Sequence, residues 1–307
     1  MHPPGSRTAR RALIVRAGAL GDVLLLRRTV ASLRAAGYAV DLLAPAAGGT
    51  ALVGAGPSEV ARLWDWERGA LAPLSTGHLP AAGALRDELA GHEFIVAYTR
   101  SRDLQRGLER LGPPVVAHDP TPPPGEHAAR WLARALPAGV RMVDTPAVCR
   151  ASEGEALSAR PFLRALPDGF VAIHPGSGSP AKNWPTARYR ELLAALAPPR
   201  PWLVACGPAD REAVDALRAE GEALVLEGVP ARVLGAVLAQ SGLYVGNDSG
   251  VSHLAAAWGA PTLSLFGPTP AAQWAPDGPR VRALQSPSGT MDGIDVEAVR
   301  EAARALR

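Results

Sequence analysis

Hydrophobic positions along the chain repeat in two patterns. Continuous apolar runs of four or five residues, bounded by Gly, Pro or charge, predict strands buried on both faces of a parallel sheet. Longer stretches with a 3.6-residue period predict helices. Residues 12–15 (ALIV) form the first run, and the loop 16–21 (RAGALG) follows. Asp22 then stands where a helix N-cap belongs, ahead of VLLLRRTVASLRAA and a stop at Gly37. Residues 40–44 predict the next strand, and the right-handed crossover rule makes the two parallel. Further strands are expected at 61–64, 94–98 and 115–117, with helices at 83–90, 104–111 and 127–135. From 136 to 169 the periodicity fades and prolines accumulate, which reads as a connection. A second series opens at 170–174 (FVAIH), with strands at 202–206, 243–246 and 262–266. Its helices are expected at 186–196, 209–220, 231–240, 251–258 and 295–307. The expected fold class is therefore α/β, with two Rossmann-like domains, 1–155 and 156–307, facing across a cleft. The last helix either closes the second domain or packs back on the first.

With 307 residues, 47% hydrophobic and 20% charged, the chain reads as globular rather than disordered. Every apolar run is broken by charge, Gly or Pro before it could span a bilayer, and no secretory signal opens the sequence. Residues 1–10 read as a loose basic tail. Cys149 and Cys206 lie far apart with no C-x-x-C, so neither a disulfide frame nor a zinc site is expected. These features predict a cytoplasmic protein. A net charge of +3 is too mild to imply nucleic acid, but suits anionic headgroups or a phosphorylated substrate. One bias sharpens the search: Lys182 is the single lysine against 31 arginines, and Asn183 and Asn247 are the only asparagines. Positions that keep Lys are candidates for a compact point charge on phosphate, which Arg supplies poorly.

Three segments carry candidate chemistry. In 174–185 (HPGSGSPAKNWP), Gly176 and Gly178 let backbone approach a ligand, and Lys182 adds charge. The segment is neither a Walker loop nor a dinucleotide fingerprint. In 246–261 (GNDSGVSHLAAAWGAP), Asp248, Ser249 and Gly250 lie between a strand and the first turn of a helix, where free N–H groups and the helix dipole favour a diphosphate. Asp248 reads equally as an N-cap or a contact for sugar hydroxyls, and His253 as a phosphate contact or a packed side chain. Thr269, in 265–274 (LFGPTPAAQW), falls at the carboxyl edge of the same sheet. In the N-terminal half, Asp22 after Gly21 reads as a helix cap or as a general base. Arg100, Arg102, Arg106 and Arg110 read as a solvated helix face, with an anionic acceptor as the other possibility.

Together, GALGDVLLLRRTVASLR, HPGSGSPAKNWP and GNDSGVSHLAAAWGAPTLSLFGPT resemble the hallmark segments of the glycosyltransferase family 9 heptosyltransferases, which add ADP-heptose to the lipopolysaccharide inner core. CGPADRE (206–212) and EHAARWLARAL (126–136) extend the likeness over most of the chain. The resemblance implies a GT-B fold and an inverting single displacement with no metal or other cofactor. Asp22 would be the base, beside Gly21 on the acceptor side. Donor contacts would come from Lys182, Asp248, Ser249, Gly250, His253, Gly176, Ser177 and Thr269, with Glu227 on the ribose. The partners implied are a nucleotide-sugar donor and a glycolipid or glycan acceptor at the inner-membrane surface, met by a monomer. Relatives carry Asp–Leu–Gln where this chain reads IVAYTR (95–100), which sets the acceptor side apart, including Arg100 and Arg102. Independently, no D-x-D triplet occurs to hold a metal on a nucleotide sugar. The competing expectations are a nucleotide-sugar epimerase of the same fold, which needs no acceptor, and a silent nucleotide-binding module.

Overall fold

The computed structural model describes residues 10–196, 201–207, 210–218 and 223–307. It divides into two compact units. The first comprises 1–18, 26–121 and 129–147; the second comprises 19–25, 122–128 and 148–307. The break expected at 155 thus falls at 147, and two short segments of the N-terminal half, one of them carrying Asp22, cluster with the second unit. The basic tail and the ends of the helix expected at 209–220 lie at least partly outside the described residues.

The first unit is a parallel sheet in the order β3-β2-β1-β4-β5, with β1 Arg11–Arg16, β2 Ala39–Ala44, β3 Arg62–Asp65, β4 Phe94–Tyr98 and β5 Val115–His118. The apolar runs of β1, β2 and β4 are buried on both faces, as a central parallel strand requires. Asp41 on β2 is an inward carboxylate at 2% exposure. Burial would push its carboxyl up, but hydrogen bonds from His92 Nε2 (3.0 Å) and Arg11 outweigh that and hold it low. The single helix expected after Asp22 is two, Leu20–Leu24 and Arg27–Ala35, and Gly37 ends the second at φ +88°.

The second unit is a parallel sheet in the order β11-β10-β9-β6-β7-β8, comprising β6 Val171–His174, β7 Trp202–Cys206, β8 Ala223–Glu227, β9 Leu243–Asn247, β10 Thr262–Phe266 and β11 Val281–Gln285. Counted from β6, this is the doubly wound order that reverses direction between β6 and β9, and a crevice opens at such a switch point. β8 and β11 were not expected: both are half-exposed edge strands; in β11 (VRALQ) charge interrupts the apolar run, whereas β8 (ALVLE) does carry a short one. The stretch read as a connection holds a twelve-residue helix, Glu153–Arg164. Pro161 inside it masks the period, while Ser152 and Glu155 form a reciprocal capping box that marks its start. The C-terminal helix Val296–Arg304 packs on Thr186–Leu196 within this unit. Among the described residues, no helix is long and apolar enough to cross a membrane.

Candidate active site

At the β6/β9 switch point both strands end in polar residues whose side chains hold the loops beyond them. Asn247, fully buried at the end of β9, spends its amide on architecture. Nδ2 donates to the Pro175 carbonyl (2.7 Å), and Oδ1 accepts from Trp184 N (3.1 Å) and the Tyr189 hydroxyl (3.0 Å). The loop after β6 is thereby tied to β9. Trp184 anchors its far end, with the indole buried at 1% exposure, edge-on to Tyr189 and donating to the Ile294 carbonyl (3.1 Å). Between these two anchors, Pro180–Lys182 forms one 3-10 turn that carries the lysine.

Lys182 Nζ donates to Asp248 Oδ2 at 2.7 Å, with side chains 32% and 10% exposed. Asp248 is therefore not the helix cap. The cap is Ser249, in extended conformation, whose hydroxyl accepts from Ser252 N–H, and the helix runs Gly250–Ala257. A position before the cap leaves the Asp248 carboxylate free to meet the lysine. Meanwhile the Asp248 N–H is used on the Leu265 carbonyl (2.9 Å), which fixes the backbone. N–H groups in the first turn of Gly250–Ala257 have no partner within the helix, so its start is polarised toward anions.

Helix Leu20–Leu24 lies directly against this helix, and glycines on both sides permit the approach. A Cβ on Gly250 would sit 2.9 Å from Leu20 Cβ, and one on Gly21 would sit 3.0 Å from His253 Cδ2. Asp22 is the third residue of its helix and not the cap; its Oδ2 accepts from Ala19 N–H at 3.0 Å. His253 is 7% exposed, and burial pushes its pKa down to about 4 despite the pull of Asp248 and Asp22. Its imidazole is therefore neutral at pH 7.

These pieces enclose a cavity of about 420 Å³, built wholly by the second unit, a size suited to a small-molecule ligand. Gly21, Asp22, Lys182, Asp248, Ser249, Gly250, His253 and Thr269 all line it. The Thr269 hydroxyl is buried with no protein partner. Gly178, Leu25 and Trp274 also face the cavity; Leu25 and Trp274 were not foreseen, because no motif of charge or glycine marks them.

The other sequence candidates fall elsewhere. Gly176 is closed against protein: a Cβ there would lie 1.7 Å from Asp210 Oδ1, so the glycine makes room for a carboxylate of its own chain. Ser177 works inside its loop, its Oγ 2.6 Å from the Ser179 carbonyl and from Asn183 Oδ1. Glu227 is half exposed and paired with Arg211. In the first unit, Arg100 holds Asp119 (2.9 Å) and Arg102 stands exposed at the start of helix Arg102–Glu109. None of these five lines the cavity. Two buried residues that the sequence reading passed over, His174 and Asp210, stand behind Ser249: His174 Nδ1 is 3.1 Å from Ser249 Oγ, and its Nε2 is 2.8 Å from Asp210 Oδ2. Among the described residues, no group of three His, Cys, Asp or Glu side chains stands close enough to hold a metal ion.

Over 104 residues the chain is 42% identical to lipopolysaccharide heptosyltransferase 1 of Pseudomonas aeruginosa, covering 33% of this chain and 29% of that protein. Over 158 residues it is 30% identical to the Salmonella typhimurium enzyme of the same name, covering 48% of this chain and 49% of that one. The matches thus span half or less of the length of these curated relatives. In three dimensions it is similar to the E. coli heptosyltransferase WaaC with ADP, with a TM-score of 0.70 at 20% identity over 97% of this chain and 100% of that one. Such a likeness establishes the fold, two Rossmann-like units of the GT-B class. The model of glycosyltransferase family 9 (heptosyltransferase) matches residues 126–299, a stretch that includes Lys182, Asp248 and His253 and leaves Asp22 outside. Since that match takes in more than half of the residues, the chain belongs to glycosyltransferase family 9.

Proposed function

We propose that the protein transfers a heptose or related sugar from an ADP-sugar to a lipopolysaccharide-core or other cell-surface glycan acceptor, by a single inverting displacement that uses no metal. The observation that carries the reading is the meeting in one cavity lining of a lone lysine, the start of helix Gly250–Ala257 and the Asp22 carboxylate. A diphosphate at the start of Gly250–Ala257 would take the free N–H groups and the Lys182 ammonium, which supply the charge a metal would otherwise bring. The acceptor hydroxyl would give its proton to Asp22 as its oxygen bonds to the anomeric carbon, and in that same displacement the bond from the carbon to the diphosphate breaks, so that ADP leaves with the electron pair. Asp248, freed from Lys182 by the diphosphate, would bind sugar hydroxyls, with Thr269 adding an uncommitted hydroxyl.

The relatives are lipopolysaccharide heptosyltransferases, which supports this donor and acceptor class. We place the protein in the cytoplasm as a monomer, meeting its acceptor at the inner face of the membrane. Asp22→Ala tests the base: transfer should fall by about 10²–10⁴-fold while ADP binding, measured calorimetrically, stays within a few-fold. Equal loss of both refutes the assignment. Turnover surviving EDTA supports the metal-free reading, and product formed from the nucleotide sugar alone would point to an epimerase instead.

A further inference from the structure

Behind the cavity wall, Asp210, His174 and Ser249 form a line of hydrogen bonds, each residue less than a tenth exposed. Three elements bring them together: β6 ends in His174, Asp210 precedes helix Arg211–Arg218, and Ser249 caps Gly250–Ala257. The order resembles a hydrolytic triad, but Ser249 is committed as a cap, accepting from Ser252 N–H, and is no free nucleophile. What the line does control is the direction of one hydroxyl proton.

Asp210 Oδ2 also accepts from Gly207 N–H (2.8 Å). Burial would push this carboxyl up; the hydrogen bond and charge of His174, together with the Gly207 N–H, outweigh it and keep the carboxylate ionised. An ionised acceptor at Nε2 fixes the proton there, so in neutral His174 the Nδ1 lone pair must accept from Ser249 O–H. The Ser249 oxygen then offers only lone pairs toward the cavity, which repel an anion. With a second proton, Nδ1 donates to Ser249 Oγ and the hydroxyl hydrogen is released to point outward. We infer that His174 and Asp210 are a proton-linked positioning pair, which turns Ser249 from acceptor to donor when a diphosphate enters and reverses the change when it leaves. This rests on the nucleotide-diphosphate reading of the cavity.

Other titratable groups face the line. Tyr189 donates to the His174 carbonyl (3.3 Å), while Tyr244 and Cys206 lie within electrostatic reach of Asp210. On the cavity side stand Asp22, Lys182, Asp248 and His253. The test must therefore isolate His174. Calorimetric titration of the full chain with ADP at pH 8, in buffers of differing ionisation enthalpy, measures the protons taken up on binding. The expected result is net uptake of up to one proton by the wild type, and a clear drop in both His174→Asn and Asp210→Asn. Asp210→Asn keeps an oxygen for the Gly207 and His174 N–H groups and removes only the charge that supports an imidazolium. Its ADP affinity should fall about tenfold with an unchanged melting temperature. Should wild type and both variants bind ADP with the same proton count, the positioning role is overturned while the donor reading stands. Should ADP fail to bind the wild type, both fall together.

Discussion

Lys182→Ala offers the sharpest quantitative test. The ammonium and the Asp248 carboxylate are 2.7 Å apart, with side chains 32% and 10% exposed. At an effective dielectric near 20, charges at that 2.7 Å separation attract by about 6 kcal/mol, but desolvation of the carboxylate offsets most of it. Breaking a fully buried pair costs about 3–5 kcal/mol, and an exposed one about 0–1. With a carboxylate nine-tenths buried and a lysine one-third exposed, we expect about 2 kcal/mol, or a melting shift of about 4–8 °C for a unit of this size. Lys182→Ala/Asp248→Asn should recover most of that loss, since no unpaired buried charge remains. Binding should move differently. The same Lys182→Ala change should weaken ADP about 10–100-fold, while Asp248→Asn alone should leave ADP binding equal or tighter, because it removes a like charge beside the diphosphate. Thermal unfolding and ADP calorimetry on the three variants suffice. If Lys182→Ala unfolds within about 0.5 kcal/mol of wild type and binds ADP unchanged, the lysine holds neither Asp248 nor the donor.

Three further outcomes follow from the packing. Gly250→Ala would place a methyl 2.9 Å from Leu20 Cβ, so it should cost about 1–3 kcal/mol and lower transfer by displacing Asp22; wild-type kinetics would deny the close helix contact. Gly176→Ala, aimed at the Asp210 carboxylate, should destabilise severely, whereas Gly178→Ala, with nothing within 4 Å of its Cβ, should be nearly neutral; equal melting temperatures would refute the packing. The third concerns pH. Unfolded His253 takes its proton near 6.5 and the folded form only near 4, so between these values the unfolded state binds more protons and stability rises with pH. Over that window stability should climb by up to about 3 kcal/mol, and His253→Gln should flatten the slope seen in denaturant titrations.

Much of this architecture is written locally. The runs at β1, β4 and β7 are continuous and apolar because each strand is buried on both faces, so their existence and parallel pairing could be read from sequence. Gly37 marks its helix end because few other residues adopt that backbone. The edge strand β11 and the helix Glu153–Arg164 were missed, since charge interrupts the run of a half-exposed strand and an internal proline blurs the helical period, while β8 does carry a short apolar run, ALVL. At the site, Lys182 was legible as an unusual choice of residue, and Asp248 and Asp22 as helix-start carboxylates with a second possible role, but their neighbours were not.

The line from Asp210 through His174 to Ser249 joins residues up to 75 positions apart, and nothing near any one of them announces the others. Sequence alone determined most of the elements and which side chains have the chemistry for phosphate and proton transfer, because those properties reside in single residues and short periods. Tertiary structure decided that Asp248 meets Lys182 instead of capping a helix, that Gly176 yields its space to Asp210, and that Glu227 and Ser177 turn away from the cavity. Each of these depends on which distant backbone comes within a few ångströms, and packing is what sets that.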